Sequence, residues 1–220
     1  MELLPLGDTA VLIRVGTAID EPTHARVRAV CAALERDPVR GMIELVPSYA
    51  AVAVYYDPAA CGRDPFSTIT RALSERLQQL EVTTPLPGRL VEIEVRYGGA
   101  HGPDLEDVAR HAALTPAEVV RAHTSVEYAV YMIGFAPGFP FLVGLPERLA
   151  MRRRDTPRLA VPAGSVAIGG GQTGIYPLET PGGWHIIGRT SVRLFRPEAN
   201  PPTLLQLGDR VRFVAVDAPA

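Results

Sequence analysis

The sequence predicts an α+β domain at the N-terminus, followed by a mainly-β domain that is a barrel or a sandwich. Strands and helices alternate over roughly the first 85 residues, whereas the chain after residue 126 shows only short strands and turns. Glycine and proline occupy 17 of the 50 positions from Gly134 to Gly183, which excludes a mainly helical fold there. Many short strands separated by turns are typical of barrels and sandwiches.

Hydrophobic patterning places the elements of the N-terminal domain in the order strand, helix, strand, strand, helix. These elements are predicted at Val11–Val15, after Asp20, at Met42–Val46, at Ala50–Tyr56 and from Asp64 onward. The β-α-β-β-α order resembles a ferredoxin-like unit, which one more strand would complete as βαββαβ.

The stretch Thr84-Pro85-Leu86-Pro87-Gly88 is the best candidate for a domain boundary. It predicts two domains, residues 1–86 and 87–220. Alternation from Val91 to Val95 predicts a strand that either completes the first domain or begins the second. Two short helices follow, and the second begins at the capping box Thr115-Pro116-Ala117-Glu118.

The composition excludes several classes of protein. The 220 residues are 47% hydrophobic and carry a net charge of −2, so no general electrostatic attraction to nucleic acid is expected. No apolar run approaches the roughly 20 residues that span a bilayer, and the acidic start predicts no export signal, so a cytoplasmic location is expected. All 22 basic residues are arginines, so any anion must be bound by arginine, backbone N–H groups or helix ends.

Three segments contain candidate binding or catalytic residues, and the first of them is rich in phenylalanine. It reads Gly134-Phe135-Ala136-Pro137-Gly138-Phe139-Pro140-Phe141. Glycine and proline fix the turns, and the three phenylalanines form an apolar wall. The pattern is typical both of a packed hairpin and of the wall of a ligand pocket, and the segment alone does not decide between them.

The second segment runs from Arg152 to Arg158 and continues as Val161-Pro162-Ala163-Gly164-Ser165. Nearby prolines restrict the backbone around Arg158, whose guanidinium suits a carboxylate or phosphate through two parallel hydrogen bonds. Ser165 does not lie in a nucleophile-elbow motif, so a structural hydroxyl is favoured over a nucleophile.

The third segment is the glycine-rich run from Gly169 to Pro177, followed by Pro181 to Thr190. It matches no P-loop and precedes no Rossmann helix, so a nucleotide loop is only weakly indicated. As a turn, it is able to present backbone N–H groups and the Gln172 amide to an oxyanion. The single tryptophan, Trp184, is either a core residue or a stacking surface.

The histidines do not indicate a metal site, since no H-x-x-x-H pair and no carboxylate set with zinc spacing occurs. His123 lies shortly before the phenylalanine-rich segment. It is a candidate general base, although a structural histidine at a helix end is favoured. No metal is therefore expected in this chain.

Taken together, these motifs resemble the family of the 5-oxoprolinase B subunit, which is also called allophanate hydrolase subunit 1 or the KipI family. The matching positions are His123, Tyr128-Ala129-Val130, Gly134 to Phe139, Arg154 to Val166, Gln172 to Pro177 and Pro181 to Thr190. Their order and spacing follow the family pattern over about 70 residues. Local departures occur at Met151-Arg152-Arg153, Thr180 and Ser191.

The resemblance implies a small α+β domain followed by a cyclophilin-like barrel of the carboxyltransferase or KipI type. It implies a complex with a C subunit, which is allophanate hydrolase subunit 2-like, and an A subunit, which is LamB/YcsF-like. That complex opens 5-oxoproline to L-glutamate with ATP, and the sequence does not say which component binds ATP. Two alternatives exist in the family: inhibition of a sensor histidine kinase, and an allophanate- or urea-carboxylase-type amide-processing subunit.

For the enzyme, the predicted catalytic residues are His123, Arg158, Gln172 and Arg189. The predicted substrate-binding residues are Phe135, Pro137, Phe139, Ser165, Tyr176, Trp184 and Thr190. Arg158 and Arg189 are expected to converge on one cleft lined by Phe135, Phe139, Phe141 and Trp184. In the structural alternative, the arginines pair with Glu179 or Asp155. Because no complete catalytic set is visible, a site shared with a partner is expected and the chain alone is expected to be inactive.

Overall fold

A computed structural model describes residues 1–78, 80 and 88–216. The chain divides into two compact units, Met1–Leu86 and Pro87–Ala220. Of the predicted boundary stretch, only Gly88 is described, and residues 84–87 lie outside the described residues. No helix in the described part of the chain is both long and apolar enough to cross a membrane.

The N-terminal unit is built on a four-stranded antiparallel sheet. Its strands are β1 (Glu2–Pro5), β2 (Ala10–Arg14), β3 (Met42–Pro47) and β4 (Ala51–Tyr56). Its helices are α1 (Glu21–Arg36), α2 (Pro58–Cys61) and α3 (Pro65–Gln78). The strands lie in the order β1-β2-β4-β3.

Helix α1 begins where the sequence predicts it, because the Asp20 carboxylate accepts a hydrogen bond from the backbone N–H of Thr23 at 2.8 Å. Its apolar stripe, which includes Val27, Cys31 and Leu34, is buried. Burial raises the pKa of the Cys31 thiol to about 12. This cysteine is therefore a core residue and not a reactive thiol.

The expected βαββαβ order is not found among the described residues of the N-terminal unit, which are 1–78 and 80. Strand β4 does lie between β2 and β3, as in a split βαβ arrangement, but the remaining strand is β1, which precedes β2 in the chain. The strand predicted from Val91 to Val95 belongs to the second unit. Residues Glu2–Pro5 carry no alternation and end in proline, so patterning did not reveal β1.

The C-terminal unit contains nine strands and two α-helices among its described residues. The strands are β5 (Leu90–Tyr97), β6 (Tyr128–Ile133), β7 (Pro140–Val143), β8 (Arg158–Val161), β9 (Ser165–Gly169), β10 (Gln172–Ile175), β11 (Thr180–Gly182), β12 (His185–Arg189) and β13 (Arg210–Ala215). The helices are α4 (Leu105–His111) and α5 (Pro116–Thr124), and a 3₁₀ turn covers Glu147–Leu149. Seven strands close into a barrel in the order β10-β7-β6-β13-β5-β12-β9, while β8 and β11 form a separate two-stranded sheet.

The barrel interior is filled by inward-facing aliphatic and aromatic side chains. Ile93 of β5 and Phe213 of β13 are partners in a parallel pairing, and both are buried in the core. Burial of each such side chain stabilises the folded state by about 1.5–3 kcal/mol relative to leaving it exposed. Helix α5 begins at the predicted capping box of Thr115 and Glu118, and its last turn carries His123.

Candidate functional site

The side chain of His123 is enclosed in the barrel interior, where it is 0% exposed and stacks on Phe213 with ring centroids 4.6 Å apart. The Thr173 hydroxyl donates to the Ala167 carbonyl at 3.0 Å and therefore accepts from Nε2–H of His123, also at 3.0 Å. Nδ1 is then an acceptor, and the Tyr97 hydroxyl donates to it at 2.8 Å. Both ring nitrogens are thus paired in a neutral imidazole.

Burial lowers the pKa of His123 to about 3. A general base needs a nitrogen within reach of the substrate proton and a pKa near the working pH. The His123 ring offers neither, because both nitrogens are engaged and the residue is fully buried. We therefore interpret His123 as a structural residue of the barrel.

We expect the free energy of unfolding of the C-terminal unit to fall as the pH drops below about 6.5. Between the ordinary pKa of His123 near 6.5 and its folded value of about 3, the unfolded chain binds a proton that the folded chain does not. The free energy of unfolding should fall by up to about 1.4 kcal/mol per pH unit in this range. Above neutral pH, His123 should have no effect on it, because the ring is neutral in both the folded and the unfolded chain. Urea unfolding at a series of pH values measures the slope.

NMR of the His123 ring provides the control for this prediction. Its Cε1–H chemical shift should stay constant from pH 7.5 to 4.5, whereas a histidine in a short unstructured peptide titrates in that range. A ring shift with a midpoint near pH 6.5 would contradict the buried neutral state.

Five rings form what we call the aromatic cluster: Phe135, Phe139, Phe141, Tyr176 and Trp184. Phe139 lies at its centre, with ring centroids 5.6 Å from Phe135, 4.8 Å from Phe141, 5.1 Å from Tyr176 and 5.5 Å from Trp184. Leu142 packs in the barrel core, so its strand neighbour Phe141 points to the opposite face of the sheet. The structure thus brings together four rings that the sequence predicted to share one cleft, and adds Tyr176.

Phe135 is the exposed member of the aromatic cluster. It is 67% exposed, whereas Phe139 and Tyr176 are each 2% exposed and Trp184 is 4% exposed. Its backbone is left-handed, with φ of 69°, which costs a non-glycine residue about 1–2 kcal/mol. Its neighbour Pro137 is also exposed. Backbone strain of this kind clusters at functional sites, so the turn that carries Phe135 is a candidate for one.

The glycine-rich segment provides space for the aromatic cluster. A Cβ atom on Gly169 would lie 2.5 Å from the Trp184 ring, and one on Gly174 would lie 2.9 Å from Phe139. The segment forms a β-hairpin, in which Gln172 pairs with Gly169. These glycines are therefore required for close packing, and the hairpin does not have the geometry of a phosphate-binding loop.

Arg158 is held by Asp104, a residue that the sequence analysis did not single out. Its two terminal nitrogens donate to the two oxygens of Asp104 at 2.8 and 2.7 Å. Arg154 and the backbone N–H of Ile186 donate to the same carboxylate at 3.1 and 2.7 Å. The Asp104 side chain is only 3% exposed. Arg158 is thus engaged by this chain's own carboxylate, and its partner is neither Asp155 nor Glu179.

The sequence carries a signal for Asp104, but it is an ambiguous one. An aspartate directly before a helix is typical of an N-cap, and Asp104 directly precedes Leu105, the first residue of α4. Its side chain makes no capping hydrogen bond. Position alone therefore suggests a local role, whereas the hydrogen bonds join α4 to β8 and β12.

Arg189 lies at the C-terminal end of β12 and lines a groove of about 440 Å³. We call this the arginine groove, and it includes Glu94, Arg96, His101, Arg189, Thr190 and Arg193. Nε of Arg189 donates to the Ala163 carbonyl at 3.0 Å. Arg158 does not line this groove and shares no hydrogen-bond partner with Arg189 in residues 88–216. The expected convergence of the two arginines is therefore not found.

The remaining predicted site residues have structural contacts. Ser165 is 2% exposed, and its carbonyl accepts from the backbone N–H of Tyr176 at 2.9 Å. Thr190 is 5% exposed, and its hydroxyl accepts from the backbone N–H of Val192 at 3.2 Å. Gln172 is half-buried at the start of β10. Over the described ranges, no group of three or more His, Cys, Asp or Glu side chains is arranged to hold a metal ion.

Similarity to known proteins extends over both units. A family model described as carboxyltransferase domain, subdomain C and D, matches residues 1–205. The chain is 47% identical to the 5-oxoprolinase B subunit of Bacillus subtilis, over 96% of this chain and 91% of that protein. It is 45% identical to the protein of the same name from Escherichia coli O157:H7, over 95% of this chain and 93% of that one.

Among solved structures, the crystal structure of a protein designated TTHA0988 is similar, with a TM-score of 0.82 and 38% identity. The match covers 96% of this chain and 40% of that chain. The fold of this chain is thus shared with part of an experimentally determined structure.

Proposed function

We propose that this chain, which belongs to the carboxyltransferase domain (subdomain C and D) family, is the B subunit of a 5-oxoprolinase. The observation that carries the proposal is its 47% and 45% identity to two proteins of that name, over at least 95% of this chain in each case. Because these matches span both units, they support the same role for the whole chain. The C-terminal barrel is proposed to be of the cyclophilin-like kind.

The proposed complex hydrolyses the lactam bond of 5-oxoproline to give L-glutamate, with ATP as co-substrate. A lactam carbonyl is a poor electrophile, and transfer of a phosphoryl group to its oxygen makes attack by water feasible. The residues of this chain do not fit an ATP site of the P-loop type, since the sequence has no lysine and aromatic rings fill the space beside Gly169 and Gly174. We therefore assign no ATP step to this chain.

We propose two partners in the cytoplasm, a C subunit of the allophanate hydrolase subunit 2-like kind and an A subunit of the LamB/YcsF-like kind. The described residues support a shared site, because they bring no nucleophile, base and oxyanion donor to one place. His123 is enclosed with both ring nitrogens engaged, and Ser165 is only 2% exposed. The remaining catalytic groups then come from the partners.

The aromatic cluster is the surface that we propose for binding one of these partners. Phe135 offers an exposed ring supported from below by Phe139. The guanidinium of Arg153 lies over Trp184, 5.6 Å from its ring centroid. Aromatic rings with an adjacent arginine are typical of residues that contribute most to protein–protein binding.

We expect the purified chain alone to form no glutamate from 5-oxoproline and ATP. A mixture with the two proposed partners should form it, because the catalytic groups of this chain are incomplete. The measurement is ATP-dependent release of L-glutamate, and the control is the mixture without this chain. Glutamate formation that is equally fast without this chain would refute the proposed function.

The regulatory alternative makes a different prediction. An inhibitor of a sensor histidine kinase would give no turnover in any mixture with the two partners. Neighbouring genes for those two partners favour the enzyme, whereas a neighbouring sporulation-type regulator favours the inhibitor.

A further inference from the structure

Two arginines lie opposite each other in the wall of the barrel. Arg96 of β5 and Arg189 of β12 are direct partners in the antiparallel register. Side chains at such positions have Cβ atoms about 4.5–5.5 Å apart, and like charges there are destabilising. In the part of the chain that the structure describes, neither arginine makes an ion pair. A bound anion would offset the repulsion between these two positive charges.

The backbone around Arg189 holds its side chain in place. Its Nε donates to the Ala163 carbonyl, so that one edge of the guanidinium is fixed and its terminal nitrogens remain available for a ligand. The backbone N–H of Thr190 donates to the Gly164 carbonyl at 2.9 Å. A Cβ atom on Gly164 would collide with the Thr190 carbonyl, so only glycine permits this close approach. The arginine is therefore positioned before any ligand binds.

The charge balance of the arginine groove favours an anionic ligand. The groove is lined by Arg96, Arg189 and Arg193, with His101, against the single carboxylate of Glu94. Arg193 forms an ion pair with Glu198, with 3.4 Å between its terminal nitrogen and the Glu198 carboxylate oxygen. Glu198 does not line the groove, and it partly neutralises Arg193. Arg96 and Arg189, the two arginines that lie opposite each other, remain without a carboxylate partner among the described residues.

We propose that the arginine groove binds the carboxylate of a small molecule between the guanidiniums of Arg96 and Arg189. A planar guanidinium matches a carboxylate through two parallel hydrogen bonds, and two of them hold it from both sides. The identification of the ligand as 5-oxoproline rests on the proposed function. Its carboxylate is unchanged by ring opening, so the groove binds the product L-glutamate through the same group.

Calorimetric titration of the full chain tests this assignment. The probes are 5-oxoproline, L-glutamate, inorganic phosphate and 5-oxoprolinamide, which lacks the charge. The variants are Arg96→Gln and Arg189→Gln, and the matched control is Arg152→Gln, which removes a charge from a side chain that is 91% exposed and lies outside the groove. Thermal unfolding of each variant verifies that it is folded.

We expect both carboxylates to bind, and 5-oxoprolinamide to bind at least about 10-fold more weakly. Each groove variant should weaken carboxylate binding by about 10-fold or more, while Arg152→Gln changes it by less than about twofold. Binding should also weaken as the salt concentration rises.

Two results would overturn the proposal: no saturable carboxylate binding at millimolar concentrations, or equal binding by the wild type and both groove variants. Binding of phosphate alone would replace the carboxylate assignment with a phosphate site. Carboxylate binding without turnover in the assembled complex would refute the proposed function and leave the groove assignment intact. The two hypotheses therefore fail in different measurements.

Discussion

Replacing Asp104 by asparagine will lower the free energy of unfolding of the C-terminal unit by about 3 kcal/mol. The Asp104 carboxylate accepts four hydrogen bonds, two of them from Arg158 and one from Arg154. Removing one member of a buried ion pair costs about 3–5 kcal/mol, because the remaining charge is left uncompensated. Both arginine side chains are a quarter to a third exposed, at 26% and 32%, so we expect the lower end of that range.

Urea unfolding of the full chain measures this effect, and Asp107→Asn is the matched control. Asp107 pairs with Arg110 on the surface at 2.9 Å, with the two side chains 45% and 75% exposed. Its loss should cost no more than about 0.5 kcal/mol. If Asp104→Asn and Asp107→Asn were equally stable, the Asp104 cluster would not be a stabilising element.

Replacing Arg189 by glutamine will reduce kcat/KM of the assembled complex by about 10–1000-fold. This range corresponds to about 1.5–4 kcal/mol for the removal of a charged hydrogen-bond donor from a binding site. Folding should be spared, because Arg189 is exposed and its removal relieves repulsion with Arg96 across the strand pair. The assay is glutamate formation by the reconstituted complex, with thermal unfolding of the same preparation measured alongside.

The control for Arg189→Gln is Arg152→Gln, which should leave activity within about twofold. Arg158→Gln provides a second comparison, since its pairing with Asp104 predicts lower stability. A loss of stability in Arg189→Gln, with full specific activity in the folded fraction, would end the assignment of Arg189 to the site.

Local patterns predicted the elements that depend on local interactions. The capping box at Thr115 and the Asp20 cap fixed the starts of two helices, because both involve residues three positions apart. Closure of the barrel was not predictable in this way. Strand β5 pairs in parallel with β13, and their partners Ile93 and Phe213 are 120 residues apart in the chain. The choice between barrel and sandwich depends on such distant pairings.

In the candidate site, too, the sequence predicted local features but not the contacts between distant residues. Motif similarity pointed to the aromatic segment and to Arg189, but the sequence did not show that Asp104 neutralises Arg158 from 54 residues away. Nor did it show that the glycines at 169 and 174 lie beneath aromatic rings. His123 was predicted near a helix end, but its burial depends on its stacking on Phe213 and on its hydrogen bonds to Tyr97 and Thr173. Each of these properties arises from tertiary packing.

The aromatic cluster also gives the protein an intrinsic optical reporter. Trp184 is the only tryptophan in the chain, and it lies in the C-terminal unit, 4% exposed, against Phe139 and Phe141. Its fluorescence therefore follows the unfolding of that unit alone, whereas far-UV circular dichroism follows both units. A partner that covers Phe135 changes the surroundings of this indole through Phe139, so the emission spectrum registers assembly without an added label.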